Sequence, residues 1–339
     1  MKMRAFLAGG LVLGICTAGA QAEPGPLTVT PIDGFLLPPG DAEATQLSGL
    51  SYVSGNEWLA VSDTTGQIFR LTIELNQETG AITSAGVLSG LDLAGAADLE
   101  GVAYDPTTAT AWVSDEIGPA IRRHDLTSGA VVQTLSLPAV FSHVDGDRSL
   151  ESLTRDPTTG VLWTANEEAL TVDGSRSTTA SGPVVRLQKF DAAGAPAGQW
   201  AYVTDPISGT PTLLSGAIRS GVSDLVALPD GRLLVLEREL GGTGLVPDYR
   251  SALYLVDFEG ATDVSSLAGL IGETYTPVTK TPLWAADFPL SNFEGIGLGP
   301  QLADGSYALV LIKIFRTGSF QLRILEWRRS SQEFFIIGK

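Results

Sequence analysis

Asp98-Leu99-Glu100-Gly101-Val102-Ala103-Tyr104-Asp105, followed by Ala111-Trp112-Val113-Ser114-Asp115, decides how the chain folds. Two short apolar runs flank the turn Asp105-Pro106-Thr107-Thr108, which reads as a strand, a tight turn and a second strand. The same unit occurs upstream as Gln46-Leu47-Ser48-Gly49-Leu50-Ser51-Tyr52 with Trp58-Leu59-Ala60-Val61-Ser62-Asp63. Gly49 to Asp63 and Gly101 to Asp115 are each 14 positions apart, as are Ser152 and Asn166 in a third copy, Ser149 to Thr154 with Val161 to Asn166. A fourth copy joins Ser223-Asp224-Leu225-Val226-Ala227-Leu228 to Leu233-Leu234-Val235-Leu236-Glu237, its turn two residues shorter. A fifth joins Asn292-Phe293-Glu294-Gly295-Ile296-Gly297 to Tyr307-Ala308-Leu309-Val310-Leu311-Ile312, its turn four residues longer.

The second strand of each unit is apolar on both faces, so it needs cover on both sides rather than one wet face. Sheets stacked around a ring give that cover, and intervals of 51 to 73 residues between copies suit four-stranded blades. The expected fold is therefore all-β, a β-propeller of five or six four-stranded blades. A sixth blade has room in 167–220 or 238–290. The segment Leu27-Thr28-Val29-Thr30 is expected to close the ring as an outer strand of the last blade, removing a sheet edge. With 39 glycines and 19 prolines spread along the chain, tight turns are plentiful.

Lys2 and Arg4, an apolar run over 5–19 and Ala20-Gln21-Ala22 have the order of an export signal, with the mature chain starting near Glu23. This divides the chain into a signal peptide (1–22), a propeller domain (23–327) and a basic and apolar tail (328–339). The expected location is periplasmic or secreted. The single cysteine, Cys16, falls within the signal, so neither disulfides nor a catalytic thiol serve the mature protein. Net charge is −17, and removing Lys2 and Arg4 leaves 19 basic against 38 acidic residues. Such a surface repels nucleic acid and anionic membranes, so neither is an expected partner after signal cleavage. A monomer acting on a small molecule is expected.

In an antiparallel hairpin the start of the first strand and the end of the second lie side by side. Glu100 is thereby placed near Asp115 and Glu116, Glu151 near Asn166 and Glu167, and Asp224 near Glu237 and Arg238. Asn292 and Glu294 take the corresponding edge of the fifth copy and Asp63 that of the first. Carboxylates crowded at one channel mouth cannot all ionise without a cation. Flexible oxygen ligation from many directions suits Ca²⁺. The expected ligands are Glu100, Asp115, Glu151, Asn166, Asp224, Glu237 and Glu294, and the expected catalytic carboxylates are Glu100, Glu151, Asp224 and Glu294. Arg148 and Arg238 are placed to bind a small anionic, phosphorylated substrate. Asp105, Asp156 and Asp230 read as turn formers instead. No Gly-rich phosphate loop, G-x-S-x-G elbow or H-E-x-x-H motif occurs.

The Asp98–Asp105 segment, the Glu151 segment Ser149-Leu150-Glu151-Ser152-Leu153-Thr154 and Asn292–Gly297 together resemble the phytase-like family described as esterase-like activity of phytase. The resemblance extends over roughly 45–327 and implies a propeller whose Glu and Asp residues carry phosphoester hydrolysis. Two alternatives stand beside it: a non-catalytic ligand- or protein-binding propeller, and a metal-dependent lactonase. One departure is Lys313, which falls in register with Asp63, Asp115 and Asn166 and opens a stretch with six basic and two acidic residues.

Overall fold

A computed structural model of the chain describes residues 27–36, 44, 46–146, 148–210, 218–241, 248–289, 291–315 and 320–329. The expected export signal (1–22) and the last ten residues lie outside these. The described chain is all-β apart from one 3₁₀ turn at Ala139–Ser142. None of its described helices is long and apolar enough to cross a membrane.

The first strand is β1 (Leu27–Leu36). A sheet follows from β2 (Leu47–Ser54), β3 (Glu57–Ser62), β4 (Gln67–Leu75) and β5 (Ile82–Asp92). The next is β6 (Leu99–Asp105), β7 (Thr110–Asp115), β8 (Ala120–Asp125) and β9 (Val131–Thr134). A third combines the very short β10 (Thr154–Arg155) with β11 (Leu162–Ala165), β12 (Val184–Phe190) and β13 (Pro196–Val203). A fourth contains β14 (Arg219–Ala227), β15 (Leu233–Gly241), β16 (Asp248–Asp257) and β17 (Thr279–Pro289). Each of these four uses consecutive strands.

The remaining four-stranded sheet draws on both ends of the chain. It runs β18 (Ser291–Gln301), β19 (Tyr307–Phe315), β20 (Phe320–Arg329) and then β1, with Leu27 opposite Arg329. The first strands touch in sequence: β2 against β6 and β18, β10 against β6 and β14, and β14 against β18. This is a β-propeller arrangement with the first strand of each hairpin innermost. The stretches 167–220 and 238–290 supply outer strands of the third and fourth sheets, so no sixth sheet forms among the described residues.

Two-sided apolarity has a direct cause. On β15, Leu233 and Val235 pack with Trp163, Ala165 and Val185 of the third sheet, while Leu234 and Leu236 pack with Phe293, Leu309 and Leu311 of the last. Side chains alternate faces along a strand, so one apolar run joins two neighbouring sheets. Each such burial contributes about 1.5–3 kcal/mol. Asp105, Asp156 and Asp230 form the turns as expected, accepting the amides of Thr107 (3.0 Å), Thr158 (2.8 Å) and Arg232 (3.2 Å).

The inner strands crowd one another where the acidic residues begin. A Cβ on Gly101 would lie 2.2 Å from the backbone nitrogen of Leu153, and one on Gly49 would lie 2.4 Å from the Glu100 carbonyl oxygen. Backbone cannot yield as a side chain can. Gly101→Ala is expected to lower stability by about 1–3 kcal/mol in urea denaturation, whereas Gly174→Ala, with open space at its Cβ and no left-handed backbone, should cost less.

Candidate functional site

Bulges aim the acidic side chains. Phe293 pairs with Lys313 and Gly295 with Ile312, which leaves Glu294 as the extra residue of the inner strand. The register likewise breaks between Leu99 and Val102, across Glu100 and Gly101. A bulge re-aims the residue it expels from the ladder. Glu100, Glu151 and Glu294 each stand six positions before a proline, Pro106 and Pro157 in turns and Pro300 near the end of β18. In the fourth sheet the extra residue is Ser223, six before Pro229, and not Asp224.

One side of the mouth is purely acidic. An oxygen each from Asp98, Glu100 and Glu116 lies within 4.8 Å of the others. Glu100 is buried and accepts the Ser48 hydroxyl at 2.7 Å. Burial, then the charge of Glu294, and less strongly those of Glu116 and Asp98, push its carboxyl well above the usual range despite the Ser48 hydroxyl. Glu116 accepts the Ser149 amide at 2.9 Å. Asp63 is pushed up to about 7 by burial and by Glu294 and Asp98. Its Oδ1 is buried without a hydrogen-bond partner, as is Oδ1 of Asn292.

The other side carries its own cations. Arg238 spans Glu151 (3.1 Å), Glu294 (2.7 Å) and Glu167. Arg148 also holds Glu167, at 3.0 Å. Burial would raise Glu167, but Arg238 and Arg148 outweigh it and hold the group below the usual range. Burial, together with Glu167 and Glu100, pushes Glu151 well above it, against the opposing pull of Arg238. Glu294 receives the Asn292 side-chain amide at 2.5 Å. An oxygen each from Glu116, Glu151 and Glu167 also lies within 4.8 Å, so Glu116 links the two sides. A cavity of about 390 Å³, lined by Arg148, Arg219, Arg238, Tyr249, Asn292 and Glu294 among others, opens beside them.

Glu100, Glu151, Glu294, Arg148 and Arg238 therefore meet at one place. The other four sequence-derived ligands have different duties. Asp224 accepts the Leu225 and Ile296 amides, both at 2.8 Å, and so pins β14 to β18. Asp115 receives Arg122 at 2.8 Å and the Ala97 amide at 3.3 Å. Asn166 accepts the Arg186 amide at 2.9 Å and donates to the Glu168 carbonyl at 2.5 Å. Glu237 takes Tyr202 Oη and Lys280 Nζ, both at 2.5 Å, and the Asp205 amide at 2.8 Å. Lys280 in turn lies 4.2 Å above the Tyr254 ring. The common cause is alternation: the exit residues Asp115, Asn166 and Glu237 face away, and the next residues, Glu116, Glu167 and Arg238, face the mouth. Lys313 lies opposite Phe293 in backbone register, and its side chain is outside the described residues.

The fold and site together define an acid-mouthed β-propeller. The chain belongs to the phytase-like family, described as esterase-like activity of phytase, which matches residues 43–313. No curated protein matches it. Among solved structures it is similar to the PQQ-bound aldose sugar dehydrogenase of Streptomyces coelicolor, at 14% identity and TM-score 0.44, covering 91% of this chain and 100% of that one. It is also similar to streptogramin B lyase, at 11% identity and TM-score 0.33, covering 89% and 98%. Hydrazine synthase of Kuenenia stuttgartiensis matches at 11% identity and TM-score 0.37, covering 80% of this chain, which spans 56% of that one.

Proposed function

We propose that the chain is a five-bladed, ring-closed, exported propeller that hydrolyses phosphate esters with Ca²⁺ held at the acidic side of the mouth. The observation that carries this reading is the cluster Asp98, Glu100 and Glu116, whose oxygens lie within 4.8 Å beside the partnerless Asp63 Oδ1. Hard oxygen donors in that number fit Ca²⁺. Asp98, Glu100 and Glu116 would hold it, with Asp63 beside them. When bound, Ca²⁺ supplies charge neutralisation for the phosphoryl oxygens.

The protein's own groups divide the remaining work. Arg148 and Arg238, fixed by Glu167, Glu151 and Glu294, orient the phosphoryl group. Glu151, kept protonated by burial, is suited to protonate the leaving alkoxide. The substrate is a small anion in the periplasm or outside the cell.

Protonation gives a test that needs no substrate. Asp63, Glu100 and Glu151 all have folded pKa values above the unfolded ones. The contribution of Asp63 is complete below pH about 4 and is lost as pH rises through about 7; those of Glu100 and Glu151 are likewise present at low pH and lost as pH rises through their own raised values. In EDTA, Asp63→Asn should thus melt higher than wild type at pH 7.5, with the gap closing toward pH 4.5. Ca²⁺ should raise the wild-type Tm at pH 7.5 and little at pH 4.5. A Tm indifferent to Ca²⁺ at pH 7.5 contradicts the reading.

A further inference from the structure

We propose that Arg219 anchors a phosphoryl-class oxyanion in the cavity beside the acidic mouth, independently of the metal. The three guanidinium groups on that wall are not equally committed. Arg238 is held by three carboxylates, Glu151, Glu167 and Glu294, and Arg148 by Glu167 at 3.0 Å with Glu168 at 3.9 Å, which fixes both as orienting groups. Among the described residues, the nearest carboxylate oxygen to Arg219 is Glu168 Oε1 at 3.7 Å, and no hydrogen bond joins them. Glu168 is 1% exposed and neither of its oxygens has a hydrogen-bond partner. It sits near enough to keep Arg219 on the wall without occupying its donors.

The cavity also offers the opposite half of a hydrogen-bond set. Asn292, 7% exposed, lines it and carries an Oδ1 with no partner. An unfilled buried acceptor calls for a donor. A monoprotonated phosphoryl group presents both features: oxygens for a planar guanidinium and one hydroxyl for Asn292 Oδ1. Two residues on, Gly221 lets β14 pack closely against the Glu167 backbone, since a Cβ there would meet the Glu167 carbonyl oxygen at 2.6 Å. Arg219 is about a quarter exposed, open enough to reach a ligand and covered enough for the contact to matter. The inference deepens the phosphoesterase reading and takes its ligand class from it, but the anion site needs no turnover.

Inorganic phosphate titrated calorimetrically into the full chain in EDTA tests this at pH 7. Wild type should bind phosphate, and Arg219→Gln should weaken binding at least about tenfold. Arg219→Lys should restore part of it, and all three proteins should respond equally to Ca²⁺ in a melting assay. No phosphate binding by wild type in EDTA overturns the inference. So does a variant that loses stability but keeps its phosphate affinity, which would make Arg219 only a counter-ion for Glu168. Because Ca²⁺ is absent from the titration, failure of the metal reading appears separately, as a missing Ca²⁺ response.

Discussion

On the proposed reading, Glu100→Gln is expected to lower Ca²⁺-dependent phosphate ester hydrolysis at least about a hundredfold, measured at saturating Ca²⁺ with a generic phosphomonoester and phosphodiester. The substitution keeps the shape and the Ser48 contact at 2.7 Å but removes one negative oxygen from the group shared with Asp98 and Glu116. It also relieves the repulsion from Glu294, Glu116 and Asp98, so the metal-free variant should fold at least as stably as wild type. Loss of turnover with retained or raised Tm separates a functional carboxylate from a structural one. Equal turnover by the variant removes Glu100 from the site.

Arg238→Met has the opposite signature. Its guanidinium meets Glu151, Glu167 and Glu294 at once and is only 16% exposed. Removing the cation leaves buried carboxylates facing one another, a change that costs about 3–5 kcal/mol when one partner of a buried ionic group is lost. The pH dependence follows from Glu167, held below the usual carboxylate range by Arg238 and Arg148 against its burial. A depressed pKa stabilises the fold above the unfolded value and loses that contribution as pH falls. The destabilisation should therefore be largest near pH 8 and shrink below pH about 5, read from urea denaturation. A loss independent of pH would mean that packing of the long side chain, not its charge, is what matters.

How much of this was legible in the sequence depends on which hairpin position is asked about. The first-strand acids Glu100, Glu151 and Glu294 could be read because each opens the first strand of a repeated hairpin, at the edge where the second strand ends. Asp224 was drawn in by the same hairpin reading, although it stands five rather than six positions before Pro229, and the bulge expels Ser223 instead. The exit positions were displaced by one residue. Asp115, Asn166 and Glu237 repeat visibly, yet strand alternation turns them toward Arg122, Arg186 and Lys280 and gives the mouth to Glu116, Glu167 and Arg238. Asp98 opens the second copy of the repeat but aligns with Gln46 in the first, so no recurring acid marked it, and Arg219, at the start of β14, lies outside the repeat. The propeller arrangement itself was readable because two-sided apolarity in Leu233–Leu236 has few solutions other than cover by two neighbouring sheets.

Calcium titration of EDTA-treated protein by calorimetry at pH 7.5, wild type against Glu116→Gln, tests the central claim most directly. Glu116 belongs to both carboxylate groups at the mouth, so its loss should weaken Ca²⁺ binding at least tenfold while leaving the fold intact. Absence of Ca²⁺ binding by the wild type, or an unchanged affinity in Glu116→Gln, would contradict it.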